Sequence, residues 1–258
     1  MDSRAASALL HAHWTAGTRL SELPPGSRPA TRAEGYEIQA LLEARSSAPL
    51  FGWKIAATSV AGQRHIGVDG PLAGRILAER VHASGARIPV AGNAMRVAEP
   101  EFAFRMGRDL PPRAEPYELH EVMAAVADLH PAIEIPDSRF ENFVTAGGPQ
   151  LIADNACAHD FVLGPAVSVD WRGLDLAAHE VRGTVVGRLD RKGTGANVLG
   201  DPRIALTWLA NELSRHGVTL RAGQVVTTGT CVVPLEIEAN VRVEADFGVL
   251  GRVAVDLA

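Results

Sequence analysis

Four short stretches of the chain carry residue types suited to chemistry. The first is Glu99-Pro100-Glu101-Phe102-Ala103-Phe104, which reads as a strand. Alternate side chains of a strand share a face, so Glu99 and Glu101 point the same way, about 6.5 to 7 Å apart along the chain. Two such carboxylates repel unless solvent or a cation lies between them, and spacing alone also allows a solvated acidic face. Phe102 and Phe104 would anchor the opposite face to a core. Pro100 cannot donate to a sheet ladder, which predicts an edge strand or a bulge. The second stretch holds Glu134 in Pro131-Ala132-Ile133-Glu134-Ile135-Pro136-Asp137-Ser138-Arg139. A glutamate between isoleucines in a central strand is partly buried, and a buried carboxylate needs a cation, a hydrogen-bond network or a proton. Asp137 and Arg139 read as an ion pair. If the three glutamates converge, they make an all-oxygen site suited to Mg²⁺ or Mn²⁺.

The third stretch is Leu50-Phe51-Gly52-Trp53-Lys54-Ile55-Ala56-Ala57. Of the 25 basic residues, only Lys54 and Lys192 are lysines. Lys192 sits in a glycine-rich turn, whereas Lys54 lies in an apolar run. There an ammonium can have its pKa lowered and act as an anion anchor or proton carrier, or can simply snorkel. The fourth is Val225 to Pro234, in which a strand runs into Thr228-Gly229-Thr230. The turned-out N–H groups and hydroxyls of such a run could cradle a carboxylate, or form an ordinary turn. Asp154-Asn155 reads as a turn or a polar support for a site. The histidines show no metal spacing, and Cys157 and Cys231 are expected to be buried free thiols.

These residues need elements to position them. Helical spacing is predicted over 4–16 and 31–46, with a capping box at Thr31 and Glu34. Later helices are expected at 117–129 and 202–216, the second starting at Asp201-Pro202. Strands are expected at 51–57, 73–78, 95–106, 131–136, 159–164, 180–190, 224–228, 241–247 and 250–257, with a loop at 191–195. The reading is an α+β fold: residues 1–48 form an N-terminal helical segment, and 49–258 a mixed, mostly antiparallel β-rich catalytic domain with peripheral helices. A formal net charge of −5 and the lack of a basic block argue against nucleic acid and anionic membrane as partners. A small molecule is the expected partner. No stretch has the signal-peptide or membrane-span pattern, so a cytoplasmic location is expected.

Taken in order, the segments resemble the family of 2-keto-4-pentenoate hydratases and 4-oxalocrotonate decarboxylases, inside the fumarylacetoacetate hydrolase superfamily. The resemblance runs from about residue 36 to the C-terminus. It rests on Gly52 to Thr58, Gly67-Val68-Asp69-Gly70-Pro71, Glu99 to Phe104, Ile133 to Arg139, Ala153-Asp154-Asn155-Ala156, Leu199-Gly200-Asp201-Pro202 and Thr228-Gly229. It implies the β-rich fold of the superfamily's C-terminal type and a divalent metal, Mg²⁺ or Mn²⁺, on Glu99, Glu101 and Glu134. It further implies catalytic roles for Lys54 and Asp69, and substrate contacts at Thr58, Leu72, Asn155, Thr228 and Gly229. The substrate class would be a 2-hydroxy-2,4-dienoate or 2-oxo-enoate of aromatic-hydrocarbon catabolism. A homo-oligomer, or a complex with a sister hydratase or decarboxylase, is also implied. One departure stands out: hydratases of the family commonly carry a second aspartate where this chain has Leu72, as the decarboxylase branch tends to have an aliphatic residue. The resemblance thus favours a hydratase, with a decarboxylase or a catalytically silent partner subunit as alternatives.

Overall fold

In the computed structural model, which describes residues 1–258, the chain opens with α1 (Ser3–Ala16) and α2 (Arg32–Ala40), then β1 (Gly52–Ala56), α3 (Val60–His65), β2 (Leu72–Ile76), β3 (Val81–Ala83), β4 (Arg87–Ile88) and β5 (Val97–Met106). It continues through α4 (Leu119–Ala124), β6 (Val126–Ile135), α5 (Gly148–Ala153), β7 (Asp160–Leu163), β8 (Glu180–Val185) and β9 (Leu189–Thr194). It closes with α6 (Pro202–Arg215), β10 (Val225–Thr230), β11 (Leu235–Glu236), β12 (Arg242–Asp246) and β13 (Arg252–Leu257). One sheet has the order β2-β1-β10-β5-β6-β7-β3 with β11 added on β5, and the other has the order β4-β13-β12-β8-β9. Only β1/β10, β3/β7 and β4/β13 pair in parallel. The mixed, mostly antiparallel α+β architecture is therefore as the sequence predicts. No helix is long and apolar enough to cross a membrane.

Alternation along β5 and β6 divides the central sheet into two unlike faces. Phe102, Phe104, Ile133 and Ile135 are wholly buried and join Val185, Val243, Val253 and Val255 of the second sheet in the main core. Phe102 meets Phe247 edge-on at 5.1 Å between ring centroids, a favoured aromatic geometry. The opposite face of the same strands carries Glu99, Glu101 and Glu134. Each large aromatic that anchors the strand thus fixes, by the period of two, the aim of a glutamate next to it.

Several expectations are corrected. β5 is central rather than at an edge, and the irregularity anticipated at Pro100 lies in its partner β10, between Thr227 and Thr230. The stretch 117–129 is helical only over Leu119–Ala124, and Val126–Ile135 pairs with β5 along its length. Helix-forming alanines lose there to the ladder. The run 180–190 is not one strand but holds β8, the hairpin turn and the start of β9, and 191–194, expected as loop, belongs to β9. The second N-terminal helix stops at Ala40, with a 3₁₀ turn at Glu43–Arg45. The capping box of Thr31 with Glu34 and the Asp201 cap are present.

The N-terminal helix α2 is fastened to its surroundings by buried polar contacts. Gln39 donates to the carbonyls of Ala73 and Ile152, both at 2.8 Å. Ala6, Leu10, Ile38, Phe140 and Ala153 form a small apolar cluster between α1, α2 and α5.

Candidate active site

Strand register brings the three glutamates together. Glu99 and Glu134 are direct cross-strand partners, and Glu101 lies two residues along β5 on the same face. Carboxylate oxygens from all three fall within 4.8 Å of one another. Like charges placed opposite each other destabilise a sheet, and here burial adds to the cost. Glu101 and Glu134 are 0% and 3% exposed, while Glu99 keeps partial access to solvent. Burial and the Glu134 charge push the Glu99 carboxyl up to about 7. Burial, with Glu134 and Glu99 beside it, holds Glu101 well above the usual carboxylate range. Burial raises Glu134 too, against the opposing pull of Lys54.

Lys54 stands on the same face, because β1 pairs with β10 and sets Lys54 opposite Thr227. Its Nζ forms an ion pair with Glu134 Oε1 at 2.9 Å and donates to the Ala156 carbonyl at 3.0 Å. Burial lowers the affinity of such an ammonium for its proton, but the charges of Glu134, Glu99 and Glu101 outweigh it and the pKa is raised. The lowered pKa expected from an apolar setting is thus reversed by the neighbours.

With all three carboxylates ionised, one ammonium leaves two negative charges uncompensated. Glu101 Oε1 and both oxygens of Glu134 are buried without a hydrogen-bond partner, which a folded protein rarely tolerates unless another group satisfies them. A hard divalent cation matches both the charge and the oxygen donors. The residues present therefore fit such an ion.

Glu101 is aimed by β10. Its Oε2 accepts from the Thr227 hydroxyl and from the Gly229 N–H, the latter at 2.7 Å. Gly229 has φ +105°, and a Cβ there would lie 2.0 Å from Thr58 Oγ1. Only glycine lets the bulge turn its N–H inward while Thr58 packs over it. The Thr-Gly-Thr run thus cradles a carboxylate, and the carboxylate is Glu101's own. Thr228 turns its hydroxyl onto the Phe102 carbonyl at 3.0 Å. Thr227 is the site residue that sequence reasoning passed over, although the period of two already set it on the face of Gly229.

The remaining expected residues divide. Leu72 pairs with Ala56, two residues along β2 from the Gly74 that pairs with Lys54. It is 1% exposed and belongs to the main apolar core, on the face of β2 that carries Gly74. Asp69 is not brought to the glutamates: its side chain is 93% exposed, with Arg32 at 3.7 Å. Asn155 is buried, its amide committed to the backbone of Arg75. The anticipated Asp137–Arg139 pair is not formed, since Asp137 pairs with Arg19 and Arg139 with Asp154. Cys157 and Cys231 are buried and free.

The carboxylate triad sits within a stretch of chain that matches a known family. Residues 71–256 match the fumarylacetoacetate (FAA) hydrolase C-terminal family. The chain belongs to that family. Among its curated relatives, the 2-keto-4-pentenoate hydratase of Burkholderia vietnamiensis is 34% identical over 221 residues, 84% of this chain and 83% of the relative. The 4-oxalocrotonate decarboxylase of a Pseudomonas species is 30% identical over 236 residues, 89% of this chain and 88% of the relative. The fold is similar to that of the 4-oxalocrotonate decarboxylase from Pseudomonas putida G7, solved with magnesium and adipate, at a TM-score of 0.90 and 23% identity over 99% of this chain and 97% of that one.

Proposed function

We propose that this family member is a metal-dependent lyase that adds water to a 2-hydroxy-2,4-dienoate (2-oxo-4-enoate) to give a 4-hydroxy-2-oxo acid. The observation that carries the reading is the buried convergence of Glu99, Glu101 and Glu134 beside Lys54, and the hydratase relatives support it. The three glutamates would hold Mg²⁺ or Mn²⁺, which when bound supplies Lewis acidity to a substrate's carboxylate and C2 oxygen. Lys54 Nζ carries the proton that ketonisation places on C5 and takes back the one released from the C2 hydroxyl, which leaves a C3=C4 double bond conjugated with the 2-oxo group. Water addition across that bond then leaves a hydroxyl on C4 and a proton on C3. Incubation with Mg²⁺ or Mn²⁺ and a panel of 2-hydroxy-dienoates and 2-oxo-enedioates, with product identification, tests this. Gain of water is the expected result, and no turnover of any member with either ion would refute the lyase reading.

Decarboxylation is the second reading, and Leu72 favours it. A buried leucine flanking Lys54 cannot carry a proton or orient water. In a decarboxylase it would keep the site dry while the electron pair left by departing CO₂ enters the same conjugated 2-oxo system. Leu72→Asp is then expected to lower CO₂ release and to introduce water addition, both followed on one substrate. Asp69→Asn, at an exposed position, is expected to leave either reaction within about twofold. A large loss of hydration in that variant would restore Asp69 to the site.

A further inference from the structure

β2 is the outermost strand at its end of the central sheet, so one side of it has no neighbouring strand. A single side chain fills part of that edge. Asn155 Oδ1 accepts from the Arg75 N–H at 2.6 Å, and Asn155 Nδ2 donates to the Arg75 carbonyl at 2.8 Å. The amide thereby clamps onto β2 a turn in which Asn155, Ala156 and Cys157 all have left-handed backbones, with φ 56°, 49° and 60°. Residues other than glycine seldom adopt that conformation, and a run of three persists only where the surroundings over-determine it. The surroundings do so here. Asp154, just before the turn, is held by the Arg139 guanidinium and by the Ser138 hydroxyl at 2.7 Å. On the facing strand, Gly74 leaves room where a Cβ would stand 2.4 Å from the Asn155 carbonyl oxygen and 3.0 Å from Lys54 Cδ and Cγ. The turn and the lysine stem therefore both lie over Gly74, and the turn delivers the Ala156 carbonyl to within 3.0 Å of Lys54 Nζ.

We propose that Asn155 is a positioning residue for Lys54, acting through the Ala156 carbonyl to fix which way the ammonium faces. This rests on the reading of Lys54 as the proton carrier. An ammonium has three donors. One is spent on Ala156, and the ion pair with Glu134 Oε1 at 2.9 Å holds the head from a second side. Those two contacts together limit how the ammonium can turn. Asn155 makes no hydrogen bond to Glu99, Glu101 or Glu134, so loosening the turn disturbs the proton carrier and leaves the carboxylate triad standing. Its amide is used on β2, which makes it a support for the site rather than a substrate contact.

The cleanest variant is Asn155→Gly, which accommodates the left-handed backbone and removes only the amide. Lys54 and Lys192 are the only lysines in the chain, so protein labelled with ¹³C and ¹⁵N at the lysine side chains gives two Cε/Nζ signals. The exposed Lys192, paired with Glu180, serves as the internal reference. In the metal-free variant the Lys54 signal is expected to shift or broaden while that of Lys192 stays in place, with Mn²⁺ affinity by calorimetry unchanged. On a dienoate turned over by the unaltered protein, kcat is expected to fall on the order of tenfold or more, the scale of a misplaced catalytic group, with KM little changed. Asn155→Ser, too short to bridge the Arg75 N–H and carbonyl, should reproduce both effects and carries the test if Asn155→Gly does not fold. An unchanged Lys54 signal, an unchanged kcat beside a shifted signal, or a loss of Mn²⁺ affinity in step with kcat would each overturn the proposal. Absence of turnover in the unaltered protein would instead defeat the lyase reading, and the lysine signal would still decide whether Asn155 sets the orientation of Lys54.

Discussion

Replacing Glu101 by glutamine is expected to weaken Mn²⁺ binding by more than about 100-fold and, at pH 8, to raise the melting temperature of the metal-free protein. The first effect follows from removing one of three oxygen ligands, since even residues that only support a ligand cost 10- to 100-fold in affinity. The second follows from the direction of the pKa shifts. Glu99 is pushed up to about 7 and Glu101 and Glu134 are raised as well, against about 4.3 in the unfolded chain. Across that interval the folded, metal-free protein binds more protons than the unfolded one, so its stability falls as the pH rises. Glutamine is a neutral stand-in for the protonated acid. Its oxygen can still accept from Thr227 and Gly229, and its amide can donate to Glu134. The variant should therefore lose most of this alkaline penalty, while at pH 4, where the native acids already carry their protons, the two melting temperatures should converge. Added Mn²⁺ should stabilise the unaltered protein more at pH 8 than at pH 5. A lower melting temperature for Glu101→Gln at pH 8, or undiminished Mn²⁺ affinity, would count against both the electrostatics and the ligand assignment.

That the acids repel was readable from Glu99 and Glu101 alone, because the period of two is a local property of a strand. That Glu134 faces Glu99 was not, because register between β5 and β6 is set by the whole length of two ten-residue strands and by the aromatics packed behind them. The apolar setting of Glu134 marked it as a candidate, and the resemblance of motifs, not spacing, joined it to Glu99 and Glu101. Local signals also read the ends of elements correctly where a side chain closes a cap, as at Thr31 and Asp201. They failed where pairing overrode propensity: the alanines before Val126 and after it look alike, and only the presence of β5 makes the second set a strand. The Ala156 carbonyl was invisible for another reason. It is a backbone group presented by a turn whose left-handed conformations leave only Asn155 as a faint mark in the sequence, and its function depends on Gly74, some eighty positions away.

Lys54→Met tests the other charged partner. Methionine keeps an unbranched stem beside Gly74, whereas an arginine fork would crowd the Ala156 carbonyl and Glu134 at the stem's end, so Lys54→Met separates chemistry from packing better than Lys54→Arg. Turnover is expected to fall by about 10² or more if the lysine carries a proton in the reaction. Metal binding should not weaken, because removing the one cation from among three carboxylates makes the site more negative. Stability should move the other way. Without the ammonium, Glu134 loses the charge 2.9 Å from its Oε1, and the remaining acids must either take up protons or repel, so the metal-free variant should melt below the unaltered protein at pH 8. At pH 4 the acids are neutral in both proteins and the difference should shrink. A variant that retained turnover within tenfold would remove Lys54 from the proton transfer, and one that lost Mn²⁺ affinity would mean that the lysine shapes the carboxylate triad rather than balancing its charge. The pairing of opposite signs, tighter or equal metal binding with a less stable metal-free fold, follows from a single cation among three buried carboxylates.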